Sequence, residues 1–366
     1  PANAADASGT HQAYAVETQG TVDAGRGRVR RAAADPLGWG IRQRTTDAAN
    51  PAAIIAQDVE ISGGENGRVE LGGRVDASDR SAGGIGGEIE ITGETIILAG
   101  GTIDASGDLG GGTIHIGGEQ QGRGELQRAR GVIMDEASSV RADAITNGDG
   151  GRVILFSEVL TSIDGDLSAR GGEEGGNGGF IETSGLRNFR ITKTPDASAP
   201  AGFGGEWLID PYDIEIVSTL KVTECIAGAA CLANALEAIL RPNFDSAGFA
   251  DILRTVDPDL AGAMRIDEAN QVEADLLVRA LSVGINVTLS TESILGEENP
   301  DLGNIHVNAD ILIPEGGAAP GTRATLSFRA ANDININNDI LVGDGDLTST
   351  PDMALSLEFR ANDVAQ

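Results

Sequence analysis

The feature that most constrains the fold is a repeat in which glycine precedes a short run of alternating apolar residues. Copies of the form Gly-x-apolar-x-apolar, two of them looser, begin at Gly67, Gly87, Gly112, Gly151, Gly179 and Gly205. From Gly87 onward, equivalent positions recur every 25 to 28 residues, apart from 39 between Ile114 and Val153. A period in the mid-twenties with two or three strands per unit is typical of stacked coils. The long interval predicts an insertion around residues 120–130.

Each coil of such a stack directs apolar residues inward and turns at small residues. Glycine supplies 52 of 366 residues and aromatics only 3%, which suits tight corners around a narrow aliphatic core. We therefore predict an all-β chain, a parallel β-solenoid with a small helical insertion. Its predicted inward residues are Val69, Leu71, Ile89, Ile91, Ile114, Ile116, Val153 and Leu155.

Helical spacing occurs in one stretch of the chain. Leucines fall at helical intervals at Leu232, Leu236 and Leu240, and again at Leu276, Leu277 and Leu281. We predict four regions: 1–53 as amino-terminal coils or an extension, 54–217 as glycine-rich coils, 218–283 as the helical insertion with the cysteine pair, and 284–366 as carboxy-terminal coils.

The charge excludes several partners. Acidic residues outnumber basic ones 56 to 26, for a net charge of −30. Such a surface repels phosphate backbones, so we expect no nucleic-acid partner, and anionic membranes are disfavoured too.

No apolar run is long enough to span a bilayer, so we expect no transmembrane segment. Without an initial Met or a signal segment, we expect a mature form or a piece of a longer protein.

Several long strings resemble the filamentous-haemagglutinin-type exoproteins of two-partner secretion. They are GGNGGFIETSG (175–185), GGEWLIDPYDIEI (204–216), LVRALSVGINVTLST (277–291), GNIHVNADI (303–311) and RAANDININNDI (329–340). The likeness covers most of 54–217 and 277–360. The family's amino-terminal secretion domain, with its Asn-Pro-Asn-Gly-type motifs, is not visible, and residues 222–270 look like additional material.

The resemblance implies a right-handed parallel β-helix exported through an outer-membrane partner transporter. It also implies an extracellular place at the bacterial cell surface, self-association into fibres, and host or neighbouring-cell glycans as further partners. The predicted function is a secreted structural and adhesive rod. Two alternatives stay open: an enzyme acting on acidic polysaccharides, and a receptor-binding or toxin-delivery stalk that uses the insertion as its contact surface.

Cys225 and Cys231 are the only cysteines. Six positions apart in one helix, they would be separated by about 9 Å of rise, too far for a disulfide. Gly228 lies between them and can interrupt a helix. Export to an oxidising compartment favours pairing, so we predict a short-loop Cys225–Cys231 disulfide. Two buried free thiols are the alternative.

Catalytic and cofactor motifs are missing, so we predict no catalytic, cofactor-binding or metal-ligating residues and no cofactor beyond surface-bound calcium. Asp76 and Asp104 occupy equivalent positions and are expected to stack, but we interpret them as corner residues that accept hydrogen bonds from turn amides. His11, His115 and His306 lie far apart, and His115 is expected to face solvent with no clustered ligands.

The outward column of the repeat is predicted to run Glu70, Glu90, His115, Ile154, Glu182 and Leu208. This mixed column resembles neither the flat threonine ladder of an ice-binding surface nor the aromatic ladder of a sugar-binding surface. Trp207 falls on an inward position and is expected in the core.

Overall fold

The computed structural model describes residues 52–219, 270–292, 303–314, 316–319, 321–343 and 353–361, with the shorter segments 14–18, 21–23, 27–32, 40–44, 222–223 and 266–267. Within these ranges the chain is mostly β-strand, with one α-helix and one short 3₁₀ turn.

In chain order the first strands are β1 (Tyr14–Thr18), β2 (Thr21–Asp23), β3 (Arg28–Ala32), β4 (Gly40–Arg44), β5 (Ala53–Ile55), β6 (Asp58–Ser62), β7 (Arg68–Gly72), β8 (Arg74–Asp76), β9 (Glu88–Thr92), β10 (Thr95–Leu98), β11 (Thr102–Asp104) and β12 (Thr113–Ile116). After the 3₁₀ turn Gln120–Gly122 come β13 (Ala129–Met134), β14 (Ser139–Arg141), β15 (Arg152–Ile163), β16 (Asp166–Ser168), β17 (Phe180–Gly185), β18 (Asn188–Ile191), β19 (Glu206–Ile209), β20 (Ile214–Val217), β21 (Val222–Thr223) and β22 (Ile266–Asp267). The last elements are β23 (Gln271–Glu273), α1 (Ala274–Ser282), β24 (Asn286–Ser290), β25 (Ile305–Val307), β26 (Ile311–Ile313), β27 (Thr322–Arg329), β28 (Ile334–Ile336), β29 (Ile340–Val342) and β30 (Met353–Arg360).

The chain passes through three faces in turn and then begins again one layer further along. Face 1 contains β3, β6, β9, β12, the first half of β15, β17, β19, β24, β27 and β30. Face 2 contains β1, β4, β7, β10, β13, the second half of β15 and β18, followed by a separate sheet of β23, β20, β25 and β28. Face 3 contains β2, β5, β8, β11, β14 and β16, and the pair β26 and β29. All of these pairings are parallel, so the predicted mostly parallel all-β class is confirmed.

One apolar core runs through the stack. All eight residues predicted to point inward have no exposed surface. Alternation explains this, because successive side chains of a strand point to opposite sides and each layer repeats the pattern of the one before. Trp207 also lies in this core, fully buried, and donates from Nε1 to Thr183 Oγ1 at 2.9 Å, which confirms its predicted inward position.

The corner between face 3 and face 1 is closed by the same hydrogen bond in five successive layers. A glycine amide donates at 2.7 Å to an alanine carbonyl oxygen that ends the face 3 segment. The bonds join Gly87 to Ala77, Gly112 to Ala105, Gly151 to Ala142, Gly179 to Ala169, and Gly205 to Ala197. The loops between the bonded residues differ in length, so the bond, rather than the loop, keeps each corner in place.

The residue before each donating glycine is also a glycine, because the next layer packs too closely to leave room for a side chain. A Cβ at Gly178 would overlap the Ala197 oxygen and the Gly205 nitrogen, the two atoms of the following corner bond. Gly111 stands in the same relation to the bond between Gly151 and Ala142. This close stacking of backbones explains the recurring Gly-Gly pair, as the sequence predicts.

Helix α1 is part of the stack. It connects β23 on face 2 to β24 on face 1, the place that a face 3 strand takes in other layers, and it packs against β26. Leu276, Leu277 and Leu281 are buried in the main core, so the helix predicted from their spacing is confirmed. Gly284, at φ +85°, ends it.

One repeat assignment from the sequence is wrong. Gly67–Leu71 resembles the face 1 strands in pattern, but β7 lies on face 2, beside β10. The face 1 strand of that layer is β6, so Glu60, not Glu70, precedes Glu90 in the outward column. Faces 1 and 2 share the same alternation, which therefore cannot distinguish them.

Replacing Gly178 by alanine is expected to destabilise the protein by about 1–3 kcal/mol or more, because the new Cβ has no space beside the corner bond. Gly110→Ala is the matched control, since its nearest neighbours would be 3.8 Å away. Urea unfolding followed by circular dichroism measures both. Equal losses in the two variants would contradict the corner-packing explanation.

Candidate functional site

An open cleft of about 490 Å³ lies on the outside of face 1, next to the loop that follows β12. Its lining includes Thr113, His115, Glu119, Gln121, Arg152 and Ile154. A groove of about 560 Å³ along the glycine corners also contains Thr113 and Arg152, so the two depressions meet there. The Arg152 guanidinium carbon lies 4.1 Å from the centre of the Phe180 ring.

The loop at residues 117–128 is the insertion predicted from the long repeat interval, and it folds back over face 1. Gln121 attaches it to two later layers: its backbone amide donates to Glu182 Oε1 at 2.8 Å and its Nε2 donates to Asp210 Oδ2 at 2.6 Å. Gln121 has a φ of +57°, a region that non-glycine residues rarely adopt. These two hydrogen bonds stabilise that backbone conformation.

Glu182 and Asp210 are carboxylic acids with no exposed surface. Burial and the nearby charge of Asp210 raise the pKa of Glu182 from its ordinary value to about 8, against the hydrogen bond from Gln121. Glu182 therefore holds a proton at neutral pH. Since neither carboxyl group reaches solvent, the pair fastens the loop and has no access to a substrate.

Several apolar residues that lie outside the main core are also buried. Ile154, Phe156, Leu186 and Tyr212 form a small buried cluster outside the main core. Ile154 and Leu208 are outward by alternation, as predicted, yet both are buried. Tertiary contacts, and not the strand pattern, decide their exposure.

His115 faces outward but is half-buried, and the expectation that it has no clustered ligands is wrong. Glu88 and Glu90 lie on the adjacent strand, and one potential ligand atom from each of the three residues lies within 4.8 Å of the others. The sequence carried a signal, because Glu90 and His115 are consecutive members of the outward column. His306 lies opposite Glu215 on face 2, and His11 is outside the described residues.

Asp76 and Asp104 stack in register, as predicted. Each accepts a hydrogen bond from the amide two residues on, at 3.0 Å and 2.9 Å, which confirms the corner interpretation. Arg74 pairs with Asp76 and Arg80 with Asp104. Burial opposes the charge on Asp104, but the bonds from Ser106 and Arg80 outweigh it and hold the pKa of Asp104 below its usual value.

Cys225 and Cys231 lie outside the described residues, so their predicted disulfide stays a prediction, as does the role of the surrounding insertion. A comparison with protein-family models finds no match, and a comparison with curated proteins finds none either. In the described part of the chain, no helix has the length and apolar character needed to cross a membrane.

Replacing Glu182 by glutamine is expected to remove a pH dependence of stability. The unfolded acid ionises above about pH 4.5, whereas the folded acid keeps its proton up to about pH 8, so the free energy of unfolding falls across this interval. Glutamine mimics the protonated acid. At about 1.36 kcal/mol per pKa unit, the free energy of unfolding of the variant should exceed that of the parent by about 2–5 kcal/mol at pH 9, and the two should be similar at pH 4.5.

Urea unfolding at the two pH values measures this difference. The exposed Glu65 serves as the control position, and Glu65→Gln should keep the parent's pH dependence. A Glu182→Gln protein that loses stability equally at both pH values would contradict a raised pKa.

Proposed function

We propose that the chain is a section of a secreted structural and adhesive rod on the bacterial cell surface. In this proposal the three-face units are the coils of a right-handed parallel β-helix of the filamentous-haemagglutinin type, exported through an outer-membrane partner. The uniform register of ten face 1 strands supports it, since strands about 4.8 Å apart give a column about 45 Å long.

The observation that carries the proposal is the edge of β30 that no described strand covers. This eight-residue strand pairs in register with β27, and no other described strand pairs with its opposite edge. Leu357 and Phe359 are 41% and 50% exposed, although they continue the positions of buried residues in β27. Phe359 stacks on Phe328 with 5.1 Å between ring centres.

This edge has the chemistry of an interior layer. Its backbone amides and carbonyls offer a second row of hydrogen bonds, and its apolar residues fit another layer of the same kind. Ile336 on face 2, 44% exposed above the buried Val307, belongs to the same surface. A further coil, from the same protein or from another copy, would satisfy these groups and lengthen the rod.

The charge favours axial over lateral growth. A net charge of −30 keeps the sides of neighbouring rods apart, while the end presents an apolar strand edge. Divalent cations such as calcium could then bridge the sides of rods, and glycans of host or neighbouring cells would meet a long, rigid surface.

The purified protein is expected to form particles that lengthen with concentration in steps of one column. Leu357→Lys combined with Phe359→Asp should abolish this growth, because charge would then occupy the next interior layer. Phe203→Asp is the control, since Phe203 is 71% exposed at a corner. Negative-stain electron microscopy and sedimentation velocity provide the lengths. Growth that survives in the double variant, or its absence from the parent, would contradict axial assembly.

An enzyme on the same fold is the alternative, and it gains no support from Asp76 and Asp104. Both carboxyl groups are bound by an arginine and a turn amide. We expect no unsaturated oligosaccharides from polygalacturonate or alginate, with or without calcium, as followed by absorbance of the product double bond. Release that disappears in Asp104→Asn would overturn the structural function.

A further inference from the structure

The pairing of β9 with β12 brings three metal-ligand side chains together on the outside of face 1. Glu90 lies opposite His115, and Glu88 lies opposite Thr113. The isoleucines between them, Ile89 and Ile114, fill the core with no exposed surface. Alternation therefore directs both glutamates and the histidine outward on one patch, with their potential ligand atoms within 4.8 Å of one another.

One ring nitrogen of His115 is left unsatisfied. Its Nδ1 is buried and has no hydrogen-bond partner, which is costly for a polar atom. An unpartnered imidazole nitrogen is the kind of atom that a metal ion engages.

The two glutamates lack the direct salt bridges that Glu60 has in the same column. Glu60, one layer earlier, is bound by Arg28 at 3.2 Å and Arg30 at 2.8 Å. No salt bridge to Glu88 or Glu90 occurs among the described residues. A bound cation would compensate both glutamates.

We propose that Glu88, Glu90 and His115 bind a divalent transition metal of the zinc class. One imidazole and two carboxylates form a donor set that suits Zn²⁺, and three protein ligands leave a position for water. An imidazole disfavours calcium, which takes oxygen ligands. Metal–ligand distances near 2.1 Å require the ligand atoms to approach to about 3.5 Å, a closure that the exposed Glu88 side chain can make by changing rotamer.

The position of the patch allows metal to enter and to keep an external ligand. The cleft beside it is open and includes His115 in its lining. A metal here would sit at the wall of this cleft, with its free coordination position available to water or to a small anionic group.

The test is zinc binding by the untagged, chelator-treated protein, measured by isothermal titration calorimetry, with calcium titrated in parallel. We expect one zinc per chain and no comparable calcium binding. Glu90→Gln and His115→Gln should each weaken zinc binding at least about 10-fold, the smallest loss usually seen even for outer-shell partners. The visible spectrum of the Co²⁺-loaded protein should lose intensity in the same variants.

Two control variants make the result specific. Cys225→Ser with Cys231→Ser removes the chain's only thiols and should leave the site intact. His306→Gln removes a histidine whose strand partner, Glu215, is hydrogen-bonded to Gln271 at 2.8 Å, and it too should bind zinc normally. Binding that is lost with the thiols, or that survives in both Glu90→Gln and His115→Gln folded proteins, would overturn the proposal.

Discussion

The structure depends on the hydrogen bond that closes each corner between face 3 and face 1. This bond makes each face 1 strand begin at an equivalent position in its layer. All later strands therefore fall into register with earlier ones. The close approach also explains why the preceding glycine cannot carry a side chain, as at Gly178. Loop length is then free to vary, as the insertion at residues 117–128 on another corner also illustrates, since connections that leave the core tolerate length changes well.

Stacking in register has a consequence for charge, because it brings acidic side chains of the same or neighbouring layers close together. The chain contains three different responses. Asp76 and Asp104 are each bound by an arginine and a turn amide. Glu182 keeps its proton beside Asp210, under Gln121. Glu88 and Glu90 have neither arrangement among the described residues, which is the physical basis for assigning a cation to them and to no other acids of the column.

Much of the fold is predictable from the sequence because its interactions repeat. Alternation identifies the inward residues, including Trp207, and the Gly-Gly pairs identify the corners. Two features escape such reasoning. The position of Gly67–Leu71 on face 2 could not be predicted, because faces 1 and 2 share one alternation pattern. The burial of Glu182 escapes such reasoning because Glu182 is contacted by Gln121, 61 residues earlier in the chain, and Ile154 is buried in a cluster of residues distant in sequence. The three-residue metal patch lies between these cases: its column was visible, but the position of Glu88 beside it required the actual register.

A stack of this kind transmits little along its axis, since each layer contacts chiefly its neighbours. The metal patch lies between β9 and β12, and the protonated Glu182 lies on β17, with β15 between them. Metal binding at the patch and protonation of Glu182 should therefore contribute nearly additively to the free energy of unfolding, unless the loop connects the two sites. That loop begins directly after His115's strand and is fastened at Gln121 to Glu182 and Asp210. The loop therefore spans both sites, and Arg152 on β15, whose charge acts on both His115 and Glu182, is a second route for a departure from additivity.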